Sequence, residues 1–65
     1  MNLKEQIIDI RDSGLTNMFD ANAVQVLANE RGHHELVLFI EERKGDYCKF
    51  IMTGDERHLS EINFG

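Results

Sequence analysis

The sequence has 65 residues, no proline, no tryptophan and one cysteine, Cys48. A single cysteine excludes an intramolecular disulfide. Together with the lack of a signal-peptide-like apolar run after Met1, it favours a reducing, cytoplasmic setting. No apolar run approaches the roughly 20 residues that a membrane span needs, so we expect no membrane partner. With 42% hydrophobic residues and no proline, the composition favours a folded helical domain over a disordered chain.

Basic residues are also scarce. The chain has 7 Lys and Arg against 12 Asp and Glu, which gives a formal net charge of −5. Proteins that hold nucleic acid normally present a basic face, because neutralising phosphates supplies much of the affinity. The charge balance therefore counts against DNA or RNA as the main partner.

The residue patterns that support catalysis or metal binding are missing as well. The sequence has no Cys-x-x-Cys or His-x-x-x-His spacing, and His33 and His34 would point about 100° apart on a helix. The carboxylates of Glu41 and Glu42 fall on different helix faces, and the glycines are isolated rather than grouped in a phosphate-binding loop. For Cys48 we expect a partly buried structural role. We expect no enzyme activity, no metal and no cofactor.

Apolar spacing predicts three helices. Residues 1–13 place Leu3, Ile7 and Ile10 on one face, and Gly14 is expected to end this helix in a left-handed conformation. A second helix is predicted over residues 20–31, with Asp20 as its N-terminal cap and Gly32 as its terminator.

The third predicted helix, residues 34–53, is the longest and carries an apolar stripe that includes Arg43. Gly45 costs about 1 kcal/mol inside a helix relative to alanine, so a kink or break at residues 44–46 is the alternative to the continuous helix that we favour. Residues 55–65 form a polar tail, either a short docked helix around Leu59 and Ile62 or a frayed end.

These elements predict an all-α fold: a small three-helix domain with a long C-terminal helix. A domain of this size has a marginal core, and a single chain is expected to leave part of the long apolar stripe exposed to solvent. We therefore predict a helical homodimer whose interface consists of Leu36, Phe39, Ile40, Tyr47, Phe50 and Ile51.

The connector, residues 14–20, mixes turn-forming residues with bulky apolar ones. A purely structural role, folding back over the core, is the simpler interpretation. Short polar side chains in a loop can also contact a partner. The residues that we predict to bind a partner are Thr16, Asn17, Asp20, Glu41 and Glu42.

A resemblance covers about 45 of these residues. The signature Arg-Asp-x-Gly-x-Thr-Asn-Met-Phe-Asp (residues 11–20), the Val24-Gln25 helix, Glu-Leu-Val-x-Phe-Ile-Glu-Glu (residues 35–42) and Phe-Ile-x-x-Gly (residues 50–54) resemble a family of very short proteins from bacteriophages and prophages of Firmicutes, a domain of unknown function. Gly45 and the histidine pair 33–34 depart from the family pattern. The resemblance implies a phage origin and the cytoplasm of a host bacterium, and it implies no activity.

We therefore expect a non-enzymatic phage protein that binds and inhibits a host protein, with an antiviral defence factor as the expected class of target. The alternative is a small helix-turn-helix-like phage transcriptional regulator that binds DNA through residues 34–53. A recognition helix should open with polar residues that read bases, whereas this helix opens with His34-Glu35-Leu36. That start favours a buried helix.

Overall fold

The computed structural model describes residues 1–59. Within them the chain forms three α-helices, Leu3–Ser13 (α1), Ala21–Glu30 (α2) and His34–Thr53 (α3), followed by one 3₁₀ turn, Glu56–Leu59, and it contains no strand. The all-α fold predicted from the sequence is confirmed. No helix in this part of the chain has the length and apolar character needed to cross a membrane.

The helix ends are fixed by local hydrogen bonds. Asn2 and Glu5 form a reciprocal capping box at the start of α1, and the Asp20 carboxylate accepts from the Ala23 N–H at the start of α2. At the end of α2, Gly32 adopts φ +78°, and the N–H groups of Gly32 and His33 donate to the carbonyls of Asn29 and Ala28. This pair of bonds is a Schellman motif, which lets α3 start two residues later.

The core lies where the three helices and the 3₁₀ turn meet. Ile10, Val24 and Leu36 have no exposed surface, so each helix contributes a fully buried aliphatic side chain. Leu3, Met18, Leu27, Val37, Cys48 and Ile51 are partly buried against this core. Cys48 therefore has the partly buried position that we expected.

The stripe predicted as a homodimer interface is mostly inside a single chain, and this corrects the prediction. Leu36, Phe39, Ile40, Tyr47 and Phe50 are at most 8% exposed in the isolated chain, and only Ile51 is half-buried. The stripe is covered by α1, α2 and the 3₁₀ turn, so the expectation that a monomer would leave it wet is wrong.

The prediction of a continuous α3 is also corrected. Arg43 has φ −137° and ψ 47°, which is outside the helical region, so α3 is kinked there. Its guanidinium lies over the Phe39 ring, 5.0 Å from the centroid, and its Nε donates to the Asp46 carboxylate at 2.9 Å. The Arg43 side chain also reaches the His58 carbonyl at 3.4 Å. The kink thus coincides with an arginine held in the apolar stripe, two residues before Gly45.

The described part of the predicted tail contains a 3₁₀ turn. Residues 56–59 form the 3₁₀ turn, and Leu59 is buried against the core. The other two apolar residues of the predicted tail, Ile62 and Phe64, lie outside the described residues. The part of the tail that the structure describes therefore docks on the core as a single 3₁₀ turn.

Candidate functional site

The polar residues of the connector hold its own backbone. The Asn17 Oδ1 accepts from the Phe19 N–H at 2.9 Å, and the Asn17 carbonyl accepts from the Asp20 N–H at 2.9 Å. The Asp20 Oδ1 accepts from the Ala23 N–H at 3.1 Å. Asn and Asp side chains commonly stabilise turns and helix starts in this way. Two of the residues predicted to bind a partner, Asn17 and Asp20, are therefore engaged in building the loop.

Tyr47 attaches the connector to α3. Its hydroxyl donates to the Met18 carbonyl at 2.7 Å, and its ring is fully buried. Burial raises the pKa of Tyr47 well above its ordinary value, so the hydroxyl remains a hydrogen-bond donor throughout the physiological range. The connector is thus fixed at its middle by α3 and at its end by the cap of α2.

On this fixed backbone, two large apolar side chains face solvent. Leu15 is 68% exposed and Phe19 is 61% exposed, whereas Thr16 between them is half-buried. Exposed apolar groups cost little to cover and stabilise a complex when a partner buries them. Leu15 and Phe19 therefore give the connector an exposed apolar surface next to Asn17 and Asp20, which are also exposed.

Glu41 and Glu42 are on a different part of the surface, on α3. The Glu41 carboxylate accepts from the Gln25 Nε2 at 2.9 Å, and the same nitrogen donates to the Val37 carbonyl at 3.1 Å. Glu41 thus links α2 to α3, while Glu42 is exposed. The structure connects Glu41 to the middle of α2 and connects Asn17 and Asp20 to its start.

Two polar side chains of α1 make contacts with other elements. The Gln6 Oε1 accepts from the Leu36 N–H at 3.1 Å, and its Nε2 donates to Glu35 and to the Met1 carbonyl. Since α3 has no capping side chain of its own, Gln6 supplies an acceptor to its first turn. No sequence signal identifies this role, because it depends on packing between residues 30 apart.

Asp9 joins α1 to the turn between α2 and α3. Its Oδ2 accepts from the Arg31 Nε at 2.9 Å and from the His33 Nε2 at 2.7 Å. These two hydrogen bonds lower the pKa of Asp9 below its ordinary value. Gln6 and Asp9 together hold α1 against the start of α3.

An apolar groove of about 340 Å³ runs between α1 and the C-terminal half of α3. Ile7 and Ile8 of α1 face Phe50 and Ile51 of α3 across it, and Met18 of the connector also lines it. Among residues 1–59, the charged residues that line it are both cations, Lys4 and Arg11. No residue pattern indicates this groove, because it depends on how α1 lies against α3.

Among residues 1–59, no group of three His, Cys, Asp or Glu side chains is close enough to hold a metal ion. The first turn of α3, which a helix-turn-helix protein would insert into DNA, is contacted by Gln6 and exposes His34 and Glu35.

Fold and surface together define a small all-α domain with a fixed apolar loop and an adjacent groove. The profile of one protein family, described as Domain of unknown function (DUF5049), matches residues 1–55, and the chain belongs to that family. No curated protein and no solved structure matches the chain.

Proposed function

We propose that this chain is a phage-encoded, non-enzymatic interaction protein that binds a host protein and inhibits it. The observation that carries the proposal is the connector: Leu15 and Phe19 are each more than 60% exposed on a backbone held by Asn17, Asp20 and Tyr47. A rigid loop that displays apolar side chains loses little conformational entropy on binding, which favours affinity. The phage origin rests on the resemblance of residues 11–54.

Charge supports a protein partner with a basic surface. The chain carries a net charge of −5, and Asp12 and Glu42 are exposed at the surface. Such a field speeds the encounter with a basic protein and repels nucleic acid. An antiviral defence factor of the host is the class of target that this proposal favours.

The test is a pull-down from a lysate of a Firmicutes host, using the tagged full chain and a Phe19→Ser variant. We expect one host protein to be retained at stoichiometric amounts by the wild-type chain and to lose its own activity when the purified chain is added. Phe19→Ser should weaken retention by about tenfold or more, because burial of a Phe side chain is worth 1.5–3 kcal/mol.

Val26→Ser is the matched control, because Val26 is 62% exposed on α2, outside the connector. It should retain the host protein like the wild type. Equal loss in both variants would contradict a connector-specific contact. Retention of duplex DNA with an affinity that falls steeply as salt rises would instead favour the regulator.

A further inference from the structure

The groove between α1 and α3 differs from the rest of the surface in charge. The chain as a whole is acidic, yet the charged side chains that line the groove are Lys4 and Arg11. They are seven residues apart on α1, which is two helical turns or about 10.5 Å along the axis. Ile7 and Ile8 lie between them in sequence and form part of the apolar lining. The groove is thus an apolar trough with cations toward both ends of its α1 wall.

Both cations have acidic neighbours that a ligand can replace. The Lys4 Nζ lies 2.8 Å from the Glu56 carboxylate, and the Arg11 Nε lies 3.4 Å from the Asp12 carboxylate. The side chains of Glu56 and Asp12 are 64% and 65% exposed. Exposed pairs of this kind contribute little to stability, so exchanging one carboxylate for another costs little.

From this geometry we propose that the groove binds an acidic amphipathic helix of the partner protein. The volume of about 340 Å³ is near the lower end of ligand pockets and accommodates a few apolar side chains. Its lining comes from α1, the C-terminal half of α3 and Met18, and α2 does not contribute to it. An amphipathic helix can bury its apolar face in such a groove while its polar face stays in water.

Charge argues against a second copy of this chain as the occupant. In a symmetric dimer built on the groove, the patch around Lys4 and Arg11 would face the same patch of the partner copy. Like charges placed together across an interface oppose association. A helix with carboxylates seven residues apart instead brings opposite charge to both cations at once.

The inference rests on the proposed function, since it names the partner's docking element, but it is tested separately. The probe is a fluorescein-labelled amphipathic helical peptide with Ile and Leu on one face and two Glu residues seven positions apart. Two matched peptides carry Gln or Lys in place of both Glu residues. Each is titrated with the full chain and followed by fluorescence anisotropy, with the methyl resonances of Ile8 and Ile51 recorded by NMR.

We expect the Glu peptide to bind about threefold more tightly than the Gln peptide, because its carboxylates replace existing exposed ion pairs, and the Lys peptide to bind more weakly still. The difference should shrink as salt rises. The Lys4→Gln/Arg11→Gln variant should bind the Glu and Gln peptides alike. Lys44→Gln/Lys49→Gln, which removes two exposed cations of α3 outside the groove lining, should keep the preference.

The apolar lining is tested by Ile51→Ser, with Leu38→Ser on the exposed side of α3 as its control. Ile51→Ser should lower the affinity for the Glu peptide by about tenfold, and Leu38→Ser should leave it unchanged. Thermal melts verify that each variant folds. If Ile51→Ser unfolds, the charge variants alone decide the question.

Three outcomes would overturn the inference. One is equal binding of all three peptides, or an acidic preference that survives Lys4→Gln/Arg11→Gln. Another is tighter binding after Ile62→Ser/Phe64→Ser, which would make the chain's own C-terminal residues the occupant. The third is a dimer that Ile51→Ser dissociates, which would make the occupant a second copy.

Failure of the inference is distinguishable from failure of the proposed function. If the host protein is retained through Phe19 and its retention is unaffected by Lys4→Gln/Arg11→Gln, the proposed function holds and the groove has no part in it. If the Glu peptide binds selectively and no host protein is retained, the groove inference holds and the proposed host target is wrong.

Discussion

At the scale of single residues, most polar side chains that the sequence places on helix exteriors or in loops have structural partners. Asn17 and Asp20 hold the connector, Gln6 completes the first turn of α3, and Asp9 bridges to Arg31 and His33. A buried or half-buried hydrogen bond contributes about 0.5–1.5 kcal/mol, more where a charge is involved. Asn17 and Asp20, which were predicted to bind a partner, therefore also have structural roles.

Asp9 makes the stability of the chain sensitive to acid. Its pKa is lowered in the folded protein by Arg31 and His33, so folding favours the ionised carboxylate. This contribution is fully present above the ordinary carboxyl pKa of 3.8 and is lost as the pH falls through the lower folded value. Thermal melts of wild type and Asp9→Asn should differ at pH 7, with the variant less stable, and should converge as the pH falls below 3.8.

Asp12→Asn is the control for that experiment. Asp12 is exposed and contacts Arg11 at 3.4 Å, so its replacement should leave the melting curve nearly unchanged at pH 7. A difference in melting temperature between wild type and Asp9→Asn that stays constant from pH 7 to pH 2 would contradict the assignment of the acid sensitivity to Asp9.

At the scale of helices, the kink in α3 lies at Arg43 and not at Gly45. Arg43 is the non-helical residue, whereas Gly45 has no positive φ, and a methyl group added to it would meet no atom within 4 Å. Glycine there contributes only its backbone entropy, which destabilises a helix relative to alanine.

Gly45→Ala should therefore raise the free energy of unfolding by about 0.5–1 kcal/mol, measured by urea denaturation. Gly54→Ala is the contrasting change, because Gly54 ends α3 with φ +71°, a conformation that strains any residue with a Cβ. That variant should be less stable than wild type. A destabilising Gly45→Ala would show that the kink needs glycine at position 45.

Helix positions were predictable from the sequence because their signals are local. Gly14 and Gly54 end α1 and α3 in left-handed conformations, and Asp20 caps α2, so the starts and ends fall within two residues of the predicted ones. The contacts between helices were not predictable, because Gln6 meets Leu36 and Tyr47 meets Met18 across 30 and 29 residues. The exposed pair Leu15 and Phe19 follows from such contacts, and so does the groove.

At the scale of the whole molecule, the core is completed within one chain. Five of the six residues predicted to form a homodimer interface are buried by the chain's own helices and 3₁₀ turn. A dimer formed through them would require α1 or α2 to detach, which would expose Ile7, Ile10 and Val24 to water.

We accordingly expect sedimentation equilibrium to give the mass of a single chain, 7.5 kDa, at micromolar concentration. The result should be the same in low and high salt, because the stripe is apolar and enclosed. A dimer mass would support the predicted homodimer and would place its interface outside the buried stripe.

The bond from Gln6 to the Leu36 N–H also bears on how relatives of this chain can diverge. Because Gln6 of α1 supplies the capping acceptor of α3, substitutions at position 6 and at the residue before α3 should be correlated among relatives. A relative with Ser, Asp or Asn at the position of His33 can cap its third helix locally, and selection at position 6 should then relax toward aliphatic residues. Relatives that keep a non-capping residue before that helix should retain glutamine at position 6.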